Sequence, residues 1–287
     1  MIDLLMLLHS LISAGTYLAA KRALAELSPF ELALARFTLA GVIYAALLVR
    51  RPPRVPRRDL WRLAGLGFVA IPLNQGLFLG GLSLTSPGHA ALLYGITPVF
   101  VFLLALWRGE ERSGALKVAG IATAFAGAAM VLLSRGQLAG APEARRGLAG
   151  DVLVLLAVAS WAVYVVWGKP YAERYGAVAT TGLTVTIGTF LYLPLGLALS
   201  RGEDFRALSV PGWASLAYLV VLTSVVAYLI YYYALAREDA SRVAIWSNTQ
   251  PVLTALLAWA VYGDRLTAPF VAGGVLVIAG VVMTQRG

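Results

Sequence analysis

The chain has 287 residues, 60% of them hydrophobic and 13% charged, with a mean hydropathy of +0.79. A soluble domain carries about twice that share of charge, so the composition argues for a polytopic helical membrane protein. The formal charge of +9 does not point to nucleic acid, because six arginines crowd one short link (Arg50, Arg51, Arg54, Arg57, Arg58, Arg62), the pattern of a cytoplasmic loop beside membrane spans.

Cysteine is absent, which excludes disulfides and thiolate metal sites. No metal or cofactor is expected. Crossing a bilayer takes about 20 apolar residues. In chain order the candidate spans are 3–20, 29–49, 60–84, 87–107, 114–134, 148–167, 177–200, 211–236, 240–262 and 266–284. The expected class is an all-α membrane protein with ten transmembrane helices. The first stretch lacks a basic leader and a convincing cleavage site, so it reads as a retained span.

The first span carries Tyr17 and also His9, either a hydrogen-bonded packing residue or a proton site titrating near neutrality. In the second, Arg36 is expected to snorkel to the headgroups, with a substrate carboxylate as the alternative partner. Asn74 and Gln75 follow Pro72 in the third span. Adjacent amides are costly in hydrocarbon and should face a cavity or another helix. His89, at the start of the fourth span, reads as interfacial. Residues 135–147 form a Gly-, Ala- and charge-rich linker between a first unit, 1–134, and a second, 148–287. The sixth span brings Trp161 and Tyr164. The eighth clusters Tyr228, Tyr231, Tyr232 and Tyr233, and an aromatic substrate would stack well on such rings.

Two stretches organise the rest: Tyr94-Gly95-Ile96-Thr97-Pro98, and Trp246-Ser247-Asn248-Thr249-Gln250-Pro251. Each proline removes a donor and frees the carbonyl four residues back, at Tyr94 and Ser247. A freed carbonyl at membrane depth must face protein or a water-filled cavity. Pro98 and Pro251 are therefore expected to bend the walls of a substrate path, with Ser247, Asn248, Gln250 and Trp246 setting its polarity.

A shift of 153 residues aligns 98–130 with 251–283 without a gap, matching Pro98 to Pro251, Arg112 to Arg265 and Met130 to Met283. Asp3 and Lys21 match Asp151 and Lys169 at a shift of 148. Five spans per unit is an odd number, so the second copy enters the membrane upside down. Two inverted five-helix repeats place a site at their interface near the midplane, and rocking about it gives alternating access. Gly120, Gly127, Gly273 and Gly280 predict a helix-packing seam, within or between subunits, so a homodimer stays open. Outside the spans, Lys and Arg favour the side of the N-terminus, which puts both termini in the cytoplasm.

At this point the residues resemble a family. Leu82 to Ala90 running into Thr97-Pro98-Val99 and Gly109 to Arg112, with its echo from Tyr233 through Gln250-Pro251-Val252 to Gly263-Asp264-Arg265-Leu266, is similar to the drug/metabolite transporter superfamily. The branch is the ten-helix EamA type, and the chain resembles YddG-type exporters within it. The resemblance implies an inverted-repeat fold in the plasma (inner) membrane and export of amino acids, aromatic ones among them, or related small metabolites. Many relatives carry Trp-Gly in the first span where this chain has Ala14-Gly15, which implies a wider cavity on that side. The expected cavity set is His9, Tyr17, Asn74, Gln75, Tyr94, Trp161, Tyr164, Tyr228, Trp246, Ser247, Asn248 and Gln250. The partners expected are a small-molecule substrate and membrane lipids. A passive facilitator is the alternative. An intramembrane enzyme is disfavoured, since the sequence holds no His-Glu-x-x-His, no mid-span aspartate pair and no Gly-x-Ser-x-Gly.

Overall fold

A computed structural model of the chain describes residues 2–109, 114–134, 141–200, 205–246, 249–263 and 267–286. Among these residues the fold is entirely helical. Its helices are α1 (Ile2–Ala23), α2 (Pro29–Arg50), α3 (Arg57–Leu84), α4 (Pro87–Trp107), α5 (Ala115–Ser134), α6 (Ala141–Leu199), α7 (Val210–Leu235), α8 (Ala240–Ile245), α9 (Thr249–Tyr262) and α10 (Ala268–Arg286). Among the described residues, 6 helical stretches are long and apolar enough to cross a membrane, and α5 and α10 contain shorter apolar helices.

The bundle is turned inside out relative to a soluble one. On α1, Leu4, Leu7, Leu8 and Leu11 are exposed while His9, Ser10, Thr16 and Tyr17 are buried. Water would penalise that apolar outer face; lipid favours it and leaves polar side chains to pair inside. The chain is an integral membrane protein.

Local sequence explains where the helices start and bend. Ser28 caps α2 through a box with Glu31, and Pro29 stands in the first turn. Ser86 ahead of Pro87 and Ser209 ahead of Pro211 cap α4 and α7 with the serine and proline alone, accepting from the His89 and Gly212 N–H groups. Helix α6 breaks at Gly176, whose φ of +80° suits a residue without a Cβ. The arms are residues 141–175 and 177–199. Beside the break, Arg174 Nη1 donates to Asp59 Oδ2 at 2.9 Å and the Tyr175 hydroxyl donates to the same oxygen at 2.6 Å, which clasps the start of α3. The Tyr175 hydrogen bond and the Arg174 charge hold the Asp59 carboxyl below its ordinary range.

Two helices are locally unwound into π turns. In α3 the turn spans Val69–Leu73 around Pro72, and the Asn74 N–H reaches back five residues to the Val69 carbonyl. In α7 it spans Tyr218–Ala227, where Ser224 Oγ donates to the Leu219 carbonyl at 2.9 Å. Such turns swing the residues that follow them out of ordinary helical register.

Helix α4 breaks at Gly95-Ile96, between Pro87–Tyr94 and Thr97–Trp107. A Cβ on Gly95 would stand 2.9 Å from Pro251 Cγ, so the two proline stretches touch. Helices α5 and α10 pair through the predicted glycines: a Cβ on Gly127 would lie 2.6 Å from the Gly273 carbonyl oxygen. The seam therefore lies within the chain. His89, at the start of α4, is buried: its Nδ1 lies 3.2 Å from Asp151 Oδ2 and its ring 5.1 Å from that of Phe270. The same carboxylate also accepts the Thr85 hydroxyl.

Candidate functional site

The helices meet around a cavity of about 80 Å³. Its spine is a chain of polar side chains at membrane depth. Arg36 on α2 is 1% exposed. Its Nε donates to Ser224 Oγ at 2.7 Å and its Nη1 to Gln75 Oε1 at 3.2 Å. A guanidinium only donates, so the Gln75 amide must turn its oxygen towards it. Gln75 Nε2 then donates to Asn74 Oδ1 at 2.7 Å and to the Tyr228 hydroxyl at 3.3 Å. Asn74 Nδ2 in turn donates to the Ala157 carbonyl at 2.7 Å and Ser160 Oγ at 3.0 Å, with the Tyr94 hydroxyl at 3.4 Å. The π turn in α3 delivers both amides to this chain, and that in α7 delivers Tyr228.

A second set of polar contacts joins α1 to α7. Thr16 and Thr223 share a 2.8 Å hydrogen bond. His9 Nδ1 sits 3.1 Å from the Ala227 carbonyl and its Nε2 lies 3.4 Å from Ser13 Oγ. A carbonyl only accepts, so Nδ1 carries the proton and Nε2 accepts from Ser13. Both ring nitrogens are engaged, as the packing reading of His9 requires.

Aromatic rings close two sides. Tyr17, Phe78 and Tyr94 meet edge to face, with centroids 5.5–6.0 Å apart. Opposite in chain origin, Trp161 lies 5.4 Å from Tyr228 and 5.8 Å from Tyr231. These separations are those of favourable aromatic pairs. The Tyr231 hydroxyl is buried without a well-formed hydrogen bond, with the Trp161 indole beside it.

Of the predicted set, His9, Tyr17, Asn74, Gln75, Tyr94, Trp161, Tyr228 and Gln250 line this one cavity. Tyr164 stands a layer behind it, bonded to Thr184 at 2.9 Å, with its ring tilted against that of Trp161 at 5.2 Å. Trp246 is elsewhere, beside Ile2, Asp3 and Met6, where its carbonyl accepts the Ser10 hydroxyl at 2.9 Å. Ser247 and Asn248 lie outside the described residues. Pro98 acts on shape: the Tyr94 carbonyl it frees accepts the Thr97 hydroxyl at 2.6 Å. The space over Gly15 is not extra cavity, since the Tyr218 hydroxyl fills it and donates to the Ile12 carbonyl at 2.8 Å.

The main residue the sequence reading misplaced is Arg36, expected to snorkel and found at the centre. Thr16, Phe78, Thr97 and Thr223 were missed as well. Two had a legible signal. Phe78 follows Asn74 by one helical turn and shares its face, and the 153-residue register carries Thr97 onto Gln250.

Comparison with known proteins agrees with this architecture. Residues 1–133 and 148–286 match the EamA-like transporter family. The chain is 32% identical to an uncharacterized transporter of Archaeoglobus fulgidus, over 98% of this chain and 96% of that protein. It is also 32% identical to a protein of Streptantibioticus cattleyicolor named "Probable terminal-alkyne amino-acid exporter", over 89% and 83% of the two chains. The uncharacterized inner membrane transporter YedA of Escherichia coli K12 is 27% identical over 96% and 87%. One crystal structure, 20% identical, superposes with a TM-score of 0.71 over 99% of this chain and 96% of its own, so the fold is shared. With the match running over nearly its whole length, the chain belongs to the EamA-like transporter family.

Proposed function

We propose that the protein is a secondary transporter of the plasma membrane that exports neutral amino acids, aromatic ones among them, or related small metabolites. The observation that carries this reading is the cavity itself: a fixed polar chain at membrane depth flanked by aromatic walls, a setting suited to a small molecule with a polar head and an apolar body. The name of the Streptantibioticus relative favours amino acids as the class.

Ten crossings arranged as two inverted five-helix units account best for the contacts. The arms of α6 count as two crossings, and α8 with α9 as one. His9 reaches the Ala227 carbonyl, and Asn74 reaches the Ala157 carbonyl. His9 and Ala157 are 148 residues apart, Asn74 and Ala227 are 153 apart, and both are shifts of the repeat. One contact is thus made twice with donor and acceptor helices exchanged. Lys21 Nζ donates to the Thr85 carbonyl at 2.6 Å, and Lys169 Nζ to the Glu238 carbonyl at 2.9 Å. These are again repeat mates, at opposite ends of the bundle. The two π turns also fall in register. The first unit is 1–134 and the second 148–287, and the two separately matched stretches support that division. The arginine-rich link between α2 and α3 favours cytoplasmic termini.

A cavity of about 80 Å³ has room for several waters. An amino acid fits only when the units part, and the two lysine clasps are the contacts that would yield at either end. Uptake of a panel of radiolabelled amino acids into inside-out vesicles tests the reading. Saturable uptake, accelerated by unlabelled substrate on the far side, is expected for at least one member. Flux no greater than in protein-free vesicles contradicts it, and linear, unsaturable flux points to a passive facilitator.

A further inference from the structure

Among the described residues no carboxylate pairs with Arg36. Its hydrogen-bond partners are the neutral Ser224 and Gln75, engaging Nε and Nη1, and its Cζ lies 4.7 Å from the Phe37 ring. A guanidinium stays charged in proteins, and a charge at membrane depth is expensive without a partner. The same side chain lines the cavity, and no hydrogen bond among the described residues occupies Nη2. The Tyr231 hydroxyl, which lines the same space, also lacks a well-formed bond. A buried cation and a buried hydroxyl facing one cavity with bonding capacity to spare define half of a recognition site.

We infer that Arg36 is the carboxylate subsite of the cavity and that the ligand class is a monocarboxylate with an apolar, preferably aromatic, body. The inference rests on the reading of the cavity as the substrate site. Among the described lining residues Arg36 is the one permanent cation, so one carboxylate pairs with it, whereas a phosphate dianion would bring a second, unmatched negative charge into low dielectric. Serine and glutamine hold Nε and Nη1 in place, so the free Nη2 is presented without rearrangement. The body of the ligand then lies between Tyr94 and Phe78 on one side and Trp161 and Tyr228 on the other. Recognition by this route reads the acid and not the amine. Carboxylates that lack an α-amino group are therefore ligands, and amines that lack the carboxylate are not.

The test is equilibrium binding to the purified full-length chain of four probes that share a phenyl group: L-phenylalanine, 3-phenylpropionate, L-phenylalaninamide and 2-phenylethylamine. The two acids are expected to bind about ten-fold or more tightly than the amide and the amine, the size of one charge-assisted contact. Arg36→Gln should level that ranking and Arg36→Lys should keep part of it. The ranking on the unmodified chain stands whether or not a variant folds. Equal binding of acids and neutral or cationic analogues, an intact ranking in Arg36→Gln, or binding of none of the four overturns the subsite. So does displacement of the acids by chloride at equal concentration. Because the ranking is read without flux, failure of the subsite and failure of the transport reading are separate results.

Discussion

At the scale of single residues, the hydrogen-bond directions around Arg36 leave little freedom. Gln75 gives its oxygen to Arg36 and its nitrogen to Asn74 and Tyr228. Gln75→Glu would set a permanent carboxylate against the guanidinium. We expect this variant to fold but to take up amino acids at least about ten-fold more slowly, since an internal anion now occupies the cation. Normal uptake would show that Arg36 needs no free face. Asn74→Ala removes the hydrogen bonds that its amide makes to the Ala157 carbonyl, Ser160 Oγ and Gln75 Nε2 and should cost about 1–3 kcal/mol of stability, read as a lowered melting temperature. Tyr231→Phe removes a hydroxyl without a well-formed partner and should leave stability within about 0.5 kcal/mol, so any loss of uptake in it belongs to the ligand. The amides and tyrosines of the site were legible in the sequence because polar groups in apolar runs are conspicuous. Arg36 was conspicuous too, but its position in the span fits snorkelling equally well, and only the packing of α3 and α7 around it decides between the two.

At the scale of helices, prolines and glycines announce bends but not their geometry. Pro72 predicts a disturbed α3. The direction in which the disturbance turns Asn74 and Gln75 depends on the five-residue reach of the Asn74 N–H. The π turn of α7 holds no proline, and nothing in its apolar sequence marks it. The glycine seam was legible in the sequence, its partners less so. Gly127→Val should force α5 from α10, because the added atoms meet the Gly273 backbone; a lowered melting temperature without dimer formation is the expected outcome. The Asp59 clasp makes a pH prediction. Its folded carboxyl is held below the ordinary value by Tyr175 and Arg174. Its contribution is therefore complete above about pH 4, the unfolded value, and is lost as pH falls through the lower folded one. The melting temperatures of wild type and Asp59→Asn should converge on acidification; a constant gap from neutral pH down would remove Asp59 from the account.

At the scale of the molecule, composition made the all-helical membrane class readable, because lipid as solvent leaves a spanning chain few solutions besides helices, and the 153-residue register is what supports the proposed pseudo-symmetry. The asymmetry of the site was less readable. Of the run expected to set its polarity, Gln250 lines the cavity, Trp246 lies beside the N-terminal end of α1, and Ser247 and Asn248 fall outside the described residues; α2 and α3 supply the cation and both amides. The central claim is that the cavity opens to one side at a time, with the Lys21 and Lys169 clasps as the closures. The chain has no native cysteine, so Thr223→Cys places one thiol in the cavity. Its labelling by a membrane-impermeant maleimide, added from each side in turn, tests the claim most directly. Lys21→Met should raise labelling from the Lys21 end and lower it from the other, and Lys169→Met should do the reverse. Equal labelling from both sides in each variant, as an open pore would give, would contradict the account.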